Sequence, residues 1–140
     1  MIYFEKGGPE LELSKQDLKD GLFLALDRLG TRKKVLAIPP DITRYYSKAG
    51  LLTEFAWEYF GDRLTDVLPA LGTHAAMSDA EISKMFGSVP ASLFRVHDWR
   101  NDVITLGEVP ASYIEEVSEG KVSYPWPVQV NRLLVEGDFD

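Results

Sequence analysis

The sequence contains no cysteine. Disulfides and thiolate metal sites are therefore excluded, and the chain suits a reducing compartment. Histidine is scarce as well: His74 and His97 are the only two, and they lack zinc spacing. There is no GxGxxG, no P-loop and no GxSxG. A conventional dinucleotide, nucleoside triphosphate or zinc site is not supported. No apolar run approaches membrane-spanning length. The first ten residues, MIYFEKGGPE, lack the charged and apolar blocks of a signal peptide. Basic residues are outnumbered, 15 against 22 acidic, for a net charge of -7. That balance disfavours a nucleic-acid backbone or an anionic membrane as partner, while a local basic pocket could still hold a small anion. These absences predict a soluble, cytoplasmic protein.

What remains is an ordinary globular composition. The 140 residues are 45% hydrophobic and 26% charged, which suits one domain able to bury a core without staples. "IYFEKGG" reads as a short edge strand. Ser14 and Asp17 form a capping-type start, Leu18 to Leu29 follow at helical spacing, and Gly30 stops the helix. "KKVLAIPP" reads as a buried strand closed by Pro39 and Pro40. "AGLLTEFAWEYFG" reads as a second helix. "TDVLPAL" is a second buried strand, with Pro69 counting against it. "SDAEISKMFG" is a third helix, begun by Ser78 and ended at Gly87. "SLFRVHD" is a third strand, and "DVITLGEV" and "WPVQVNRLLV" are strand-like. Strands alternating with helices predict an α/β fold: a mostly parallel sheet with helices on both faces, Rossmann-like and three-layered.

In such sheets ligands gather beyond the carboxyl ends of the strands. The residues there are Asp41, Thr43 and Arg44 after the first central strand, Gly72, Thr73 and His74 after the second, and His97 and Asp98 after the third. His74 is either an acid–base group or a turn histidine bonded to the local backbone. Arg44 can grip a carboxylate or phosphate through two parallel hydrogen bonds. Asp41 either holds that arginine, bonds a ligand hydroxyl, or caps a turn after Pro40, leaving Arg44 solvated. Thr73 and Ser78 flank a helix start that could seat an anion, and Ser78 reads better as a cap. A direct His97–Asp98 dyad is disfavoured, because neighbours on an extended segment point in opposite directions. Trp99, Tyr124 and Trp126 read as packing residues. Asn131 and Arg132 interrupt an apolar run, either lining a pocket or forming a polar pair at a sheet edge.

"DITR" at 41–44, "LGTHAAMSDAE" at 71–81, "VHDW" at 96–99 and "VQVNRLLVEGDFD" at 128–140 resemble the N-terminal domain of the lactate racemase family. The likeness runs from about residue 35 to the end, and the order and spacing of the first two motifs carry it. Tyr45 stands where a proline is common, and Ala75 where an arginine is usual, which marks a relative of the racemase. The resemblance implies interconversion of 2-hydroxy acid stereoisomers with a nickel pincer nucleotide, which accepts and returns a hydride at the substrate's α carbon. It implies His74 as one of two acid–base histidines, and Asp41 and Arg44 as a cofactor- and substrate-binding pair. Thr43, Gly72 and Thr73, in the same motifs, join them as expected cofactor-binding residues, and none of the six is expected to ligate the metal. The family's second histidine and its cofactor-attaching lysine lie beyond the last motif. The chain is therefore expected to be residues 1–140 of a longer protein, incomplete at the C-terminus, inactive alone and working with the C-terminal remainder. The competing expectation is a non-catalytic α/β module that binds a small anion or a partner domain.

Overall fold

The computed structural model describes residues 2–140. Length predicts one domain, whereas contacts divide the chain into two compact units. One comprises the residues up to Val96 with Phe139–Asp140, the other His97–Asp138.

The first unit is built on a parallel pair, β1 (Val35–Ala37) and β2 (Leu64–Val67). Helices α1 (Lys15–Leu29), α2 (Ala49–Phe60) and α3 (Asp79–Phe86) occupy the expected stretches. Local chemistry sets their ends. Ser14 with Asp17, and Ser78 with Glu81, form reciprocal capping boxes that satisfy orphan N–H groups. Gly30, Gly61 and Gly87 close the three helices. The core joins Phe60, Leu64, Val67, Ile82, Met85, Phe86 and Val89, with Val35, Ala37 and Ile42 packed against it. Strand β2 is buried almost throughout, as its apolar run predicts for a parallel strand. Strand β1 is half-buried, less than expected. Beyond Val67 the ladder continues: Leu68 N–H donates to the Ala37 carbonyl at 2.9 Å and Ala70 N–H to Pro39 at 2.8 Å. Alternate residues donate across a parallel ladder, so Pro69, lying between these two donors, costs no bond.

Two predicted strands of this unit are not formed. Residues 2–8 are not a strand. The Phe4 ring lies so close to Gly21 of α1 that a Cβ there would meet it at 2.5 Å. The Arg28 guanidinium donates to the Tyr3 carbonyl. The segment docks through these contacts instead of pairing. The "SLFRVHD" stretch makes one parallel bridge, Val67 to Phe94, with Arg95 N–H donating to the Val67 carbonyl at 2.8 Å. A 3-10 turn at Ala91–Leu93 precedes it, so the extended part is too short for a ladder.

The second unit holds an antiparallel pair, β3 (Val103–Val109) and β4 (Trp126–Asn131), with a bulge between Thr105 and Gly107. The connection contains α4 (Ala111–Val117), absent from the sequence reading. Strand β4 stops at Asn131 because the Asn131 side-chain oxygen accepts from the Leu133 N–H at 2.9 Å. Short α5 (Leu133–Glu136) follows, where a continued strand was expected. The molecule is thus a mixed α/β protein with one small parallel pair and one antiparallel pair, not a mostly parallel sheet over the described residues. No helix among those residues is long and apolar enough to cross a membrane.

Candidate active site

The ends of β1 and β2 meet through a last parallel bridge, Pro40 to Ala70. Asp41 directly follows one partner of that bridge. The other partner leads into a turn in which His74 N–H donates to the Leu71 carbonyl at 3.0 Å. Gly72 sits in this turn at φ 59°, a conformation that side-chain-bearing residues rarely adopt. A Cβ at Gly72 would meet no atom within 4 Å, so the backbone angle alone calls for glycine there. The turn brings His74 back toward Asp41.

The result is a hydrogen-bonded chain of four expected site residues. The His74 Nδ1–H donates to Asp41 Oδ2 at 2.5 Å. Asp41 Oδ1 accepts from the Thr43 hydroxyl at 2.5 Å and from the Thr43 backbone N–H at 3.0 Å. The Arg44 guanidinium donates to the Thr43 hydroxyl oxygen at 3.4 Å. Asp41 is buried, whereas the His74 side chain keeps 57% of its exposure. The Thr43 hydroxyl, and then the imidazole, hold the Asp41 carboxyl below the usual carboxylate range against the opposing effect of burial. Asp41 therefore stays an anion, and an anion facing Nδ1 keeps the proton on that nitrogen. The Nε2 lone pair of His74 is left to act.

Of the readings of Asp41, the turn cap is the one realised: it caps the 3-10 turn at Ile42–Ser47. It does not hold Arg44, which is exposed and forms no ion pair with any described residue. The aspartate's partner is the histidine, 33 positions away. Thr73 is exposed on the Gly72 turn, and Ser78 is a cap. The signal that could have found the Asp41–His74 bond lies in the sequence: both residues follow neighbouring parallel strands at their carboxyl ends.

The second unit places its histidine differently. His97 does not pair with Asp98, as expected. Asp98 accepts from the N–H groups of Arg100 and Asn101 and from the Asn101 side chain. These bonds hold its carboxyl below the ordinary range, the Asn101 side chain most of all. His97 instead meets Asn131 at 2.9 Å. Asn131 is buried, and Arg132 is exposed and paired with Asp102 and Glu136. Trp126 and Tyr124 are exposed, at 53% and 57%, contrary to the packing expected of them. Trp126 lies on a two-stranded ladder too small to cover both its faces, and Tyr124 lies in the bend just before that strand. Trp99 is exposed as well, at 39%, with the Arg100 guanidinium 3.8 Å from its ring centre. Among the described residues, no group of three or more His, Asp or Glu is placed to hold a metal ion.

No protein-family model matches the chain, and no curated protein does so either. Among solved structures the chain is similar to a Thermotoga maritima protein whose crystal structure was determined by a structural genomics consortium. The two share 32% identity at a TM-score of 0.80. The similarity covers 98% of this chain and 33% of the Thermotoga protein, so the chain spans about a third of that protein's length.

Proposed function

We propose that the chain is part of a racemase or epimerase that interconverts the stereoisomers of a 2-hydroxy acid, as its resemblance to the lactate racemase N-terminal domain implies. The observation that carries this reading is the buried Asp41 carboxylate on Nδ1 of an exposed His74, with Arg44 one hydrogen-bond link away. In this reading the His74 Nε2 takes the substrate hydroxyl proton. The imidazolium that forms is stabilised by Asp41, in the manner of a carboxylate–histidine pair. Arg44, having no carboxylate of its own, binds the carboxylate of the substrate or an anionic group of the cofactor. Thr73 adds a hydroxyl donor on the same turn. These side chains fit the phosphate or carboxylate of a nickel pincer nucleotide, and they do not form a metal-ligand set. When bound, that nucleotide supplies the acceptor for the α-carbon hydride. The second acid–base histidine and the cofactor-attaching lysine then come from the C-terminal remainder, as the resemblance implies. In the same reading the parallel pair, extended by the Phe94 bridge, begins a Rossmann-like three-layer sheet with helices on both faces. The protein works in the cytoplasm, consistent with the absence of cysteine.

The test is isomer interconversion by the complete, cofactor-loaded protein carrying His74→Ala. A positioned acid–base group contributes roughly 10²–10⁴-fold, and a loss of that size with an intact fold is expected. Undiminished turnover would reject the catalytic role and favour a non-catalytic anion-binding module.

A further inference from the structure

The side chain that faces His97 dictates where its proton sits. Three contacts orient Asn131, which is only 4% exposed. Its oxygen accepts from the Leu133 backbone N–H at 2.9 Å. Its amide nitrogen donates to Asp102 Oδ2 at 3.0 Å. The same nitrogen lies 2.9 Å from His97 Nδ1. Turning the amide over would set its oxygen against a carboxylate and its N–H group against another N–H, so the orientation is fixed chemically. The atom presented to His97 is a donor, and His97 Nδ1 must accept.

We infer that Asn131 locks His97 as the neutral tautomer with its proton on Nε2, so that the free edge of this half-exposed ring is a hydrogen-bond donor for an oxygen acceptor, not a proton-accepting base. This assignment does not depend on the function proposed for His74, which Asp41 sets in the opposite form with Nε2 unprotonated. The two histidines of the chain therefore present opposite chemistry from the same ring atom. His97 cannot stand in for the second acid–base histidine in its neutral form, because its Nε2 has no lone pair to offer.

Nitrogen-15 NMR of the two imidazoles at neutral pH tests this directly on the chain. The expected spectrum shows an unprotonated Nδ1 and protonated Nε2 for His97, and the reverse for His74. A His97 protonated on Nδ1 in the wild type would overturn the inference without any variant. Asn131→Asp combined with Asp102→Asn keeps a donor at position 102 for residue 131 and presents only acceptors to His97, whose proton is expected on Nδ1 in that protein. An unchanged tautomer there would show that Asn131 does not set it. His97→Asn returns an acceptor close to the Nδ1 position and should preserve the Leu133 amide's slow hydrogen exchange. His97→Ala should speed that exchange by about five- to tenfold, the factor for one lost hydrogen bond. Equal exchange in the two variants would also count against the lock.

Discussion

The two units are held together by different physics. The first has an apolar core: Phe55, Phe86, Leu64 and Val67 are almost wholly removed from water, and buried Phe60, Ile82, Met85 and Val89 continue it. Each such side chain contributes roughly 1.5–3 kcal/mol by burial alone. In the second, the buried residues are Asn131 and Gly137, and neither brings apolar side-chain surface. Its order comes from the β3–β4 ladder and from the polar network of His97, Asn131, Asp102 and Arg132. A two-stranded ladder is marginal without a hydrophobic face packed on something. The same contrast separates the histidines. His74 stands at the rim of a packed scaffold with its reactive edge in solvent, while His97 is part of what orders its own surroundings.

The contrast can be broken most sharply in the core. Phe86→Ala should destabilise the first unit by about 3–5 kcal/mol, read as a fall in the urea midpoint. A loss under 1 kcal/mol would mean that the cluster around β2 is not what holds the unit. Native-state hydrogen exchange sharpens the comparison without substitution. Amides of β2 should exchange at least ~10²-fold more slowly than those of β3 and β4, since local opening follows buried apolar contact. Equal protection would show the two units sharing a single cooperative transition. The smallest effect concerns Asp41. Its carboxyl is lowered in the native state by the Thr43 hydroxyl and by His74. A depressed carboxylate contributes stability that is fully present above the unfolded value of about 4 and is lost as pH falls through the lower native value. The advantage of the wild type over Asp41→Asn should hold at neutral pH and disappear in strong acid. An advantage that instead grows on acidification would contradict the sign.

Local signals were legible in the sequence, and distant pairings were not. Ser14 with Asp17, Ser78, and the glycines at 30 and 87 fixed the ends of two helices within a residue or two, because caps act over three or four positions. Helix α4 was missed for the same reason: Pro110 precedes it with no side-chain cap, and its seven residues show no clear stripe. The "IYFEKGG" strand failed because a strand needs a partner, and Phe4 found a notch over Gly21 first. At the site the positions were readable but the partnerships were not. Asp41 reads as a holder of Arg44 or as a turn cap; it caps the turn, and its unforeseen partner is a histidine 33 positions away. His97 was set beside Asp98 in the sequence and is governed by Asn131, 34 positions on.

The last two residues have a consequence for the chain as a polymer. Asp140 returns to the first unit, where its carboxylate accepts from the N–H groups of Lys33 and Lys34 and its own N–H donates to the Lys34 carbonyl at 3.1 Å. At the other side of the excursion, Arg95 is bonded to β2. His97–Asp138 is thus an insertion tethered at both ends. When it opens, it opens as a closed loop, and its search for the folded state is confined by two anchors. Loop-closure entropy rises only as the logarithm of length, about 0.6 kcal/mol for each doubling. Residues added at the Ser118–Lys121 turn would therefore burden the host unit very little. The host can keep its own fold while the insert varies in length, so long as the Asp140 clasp stays shut.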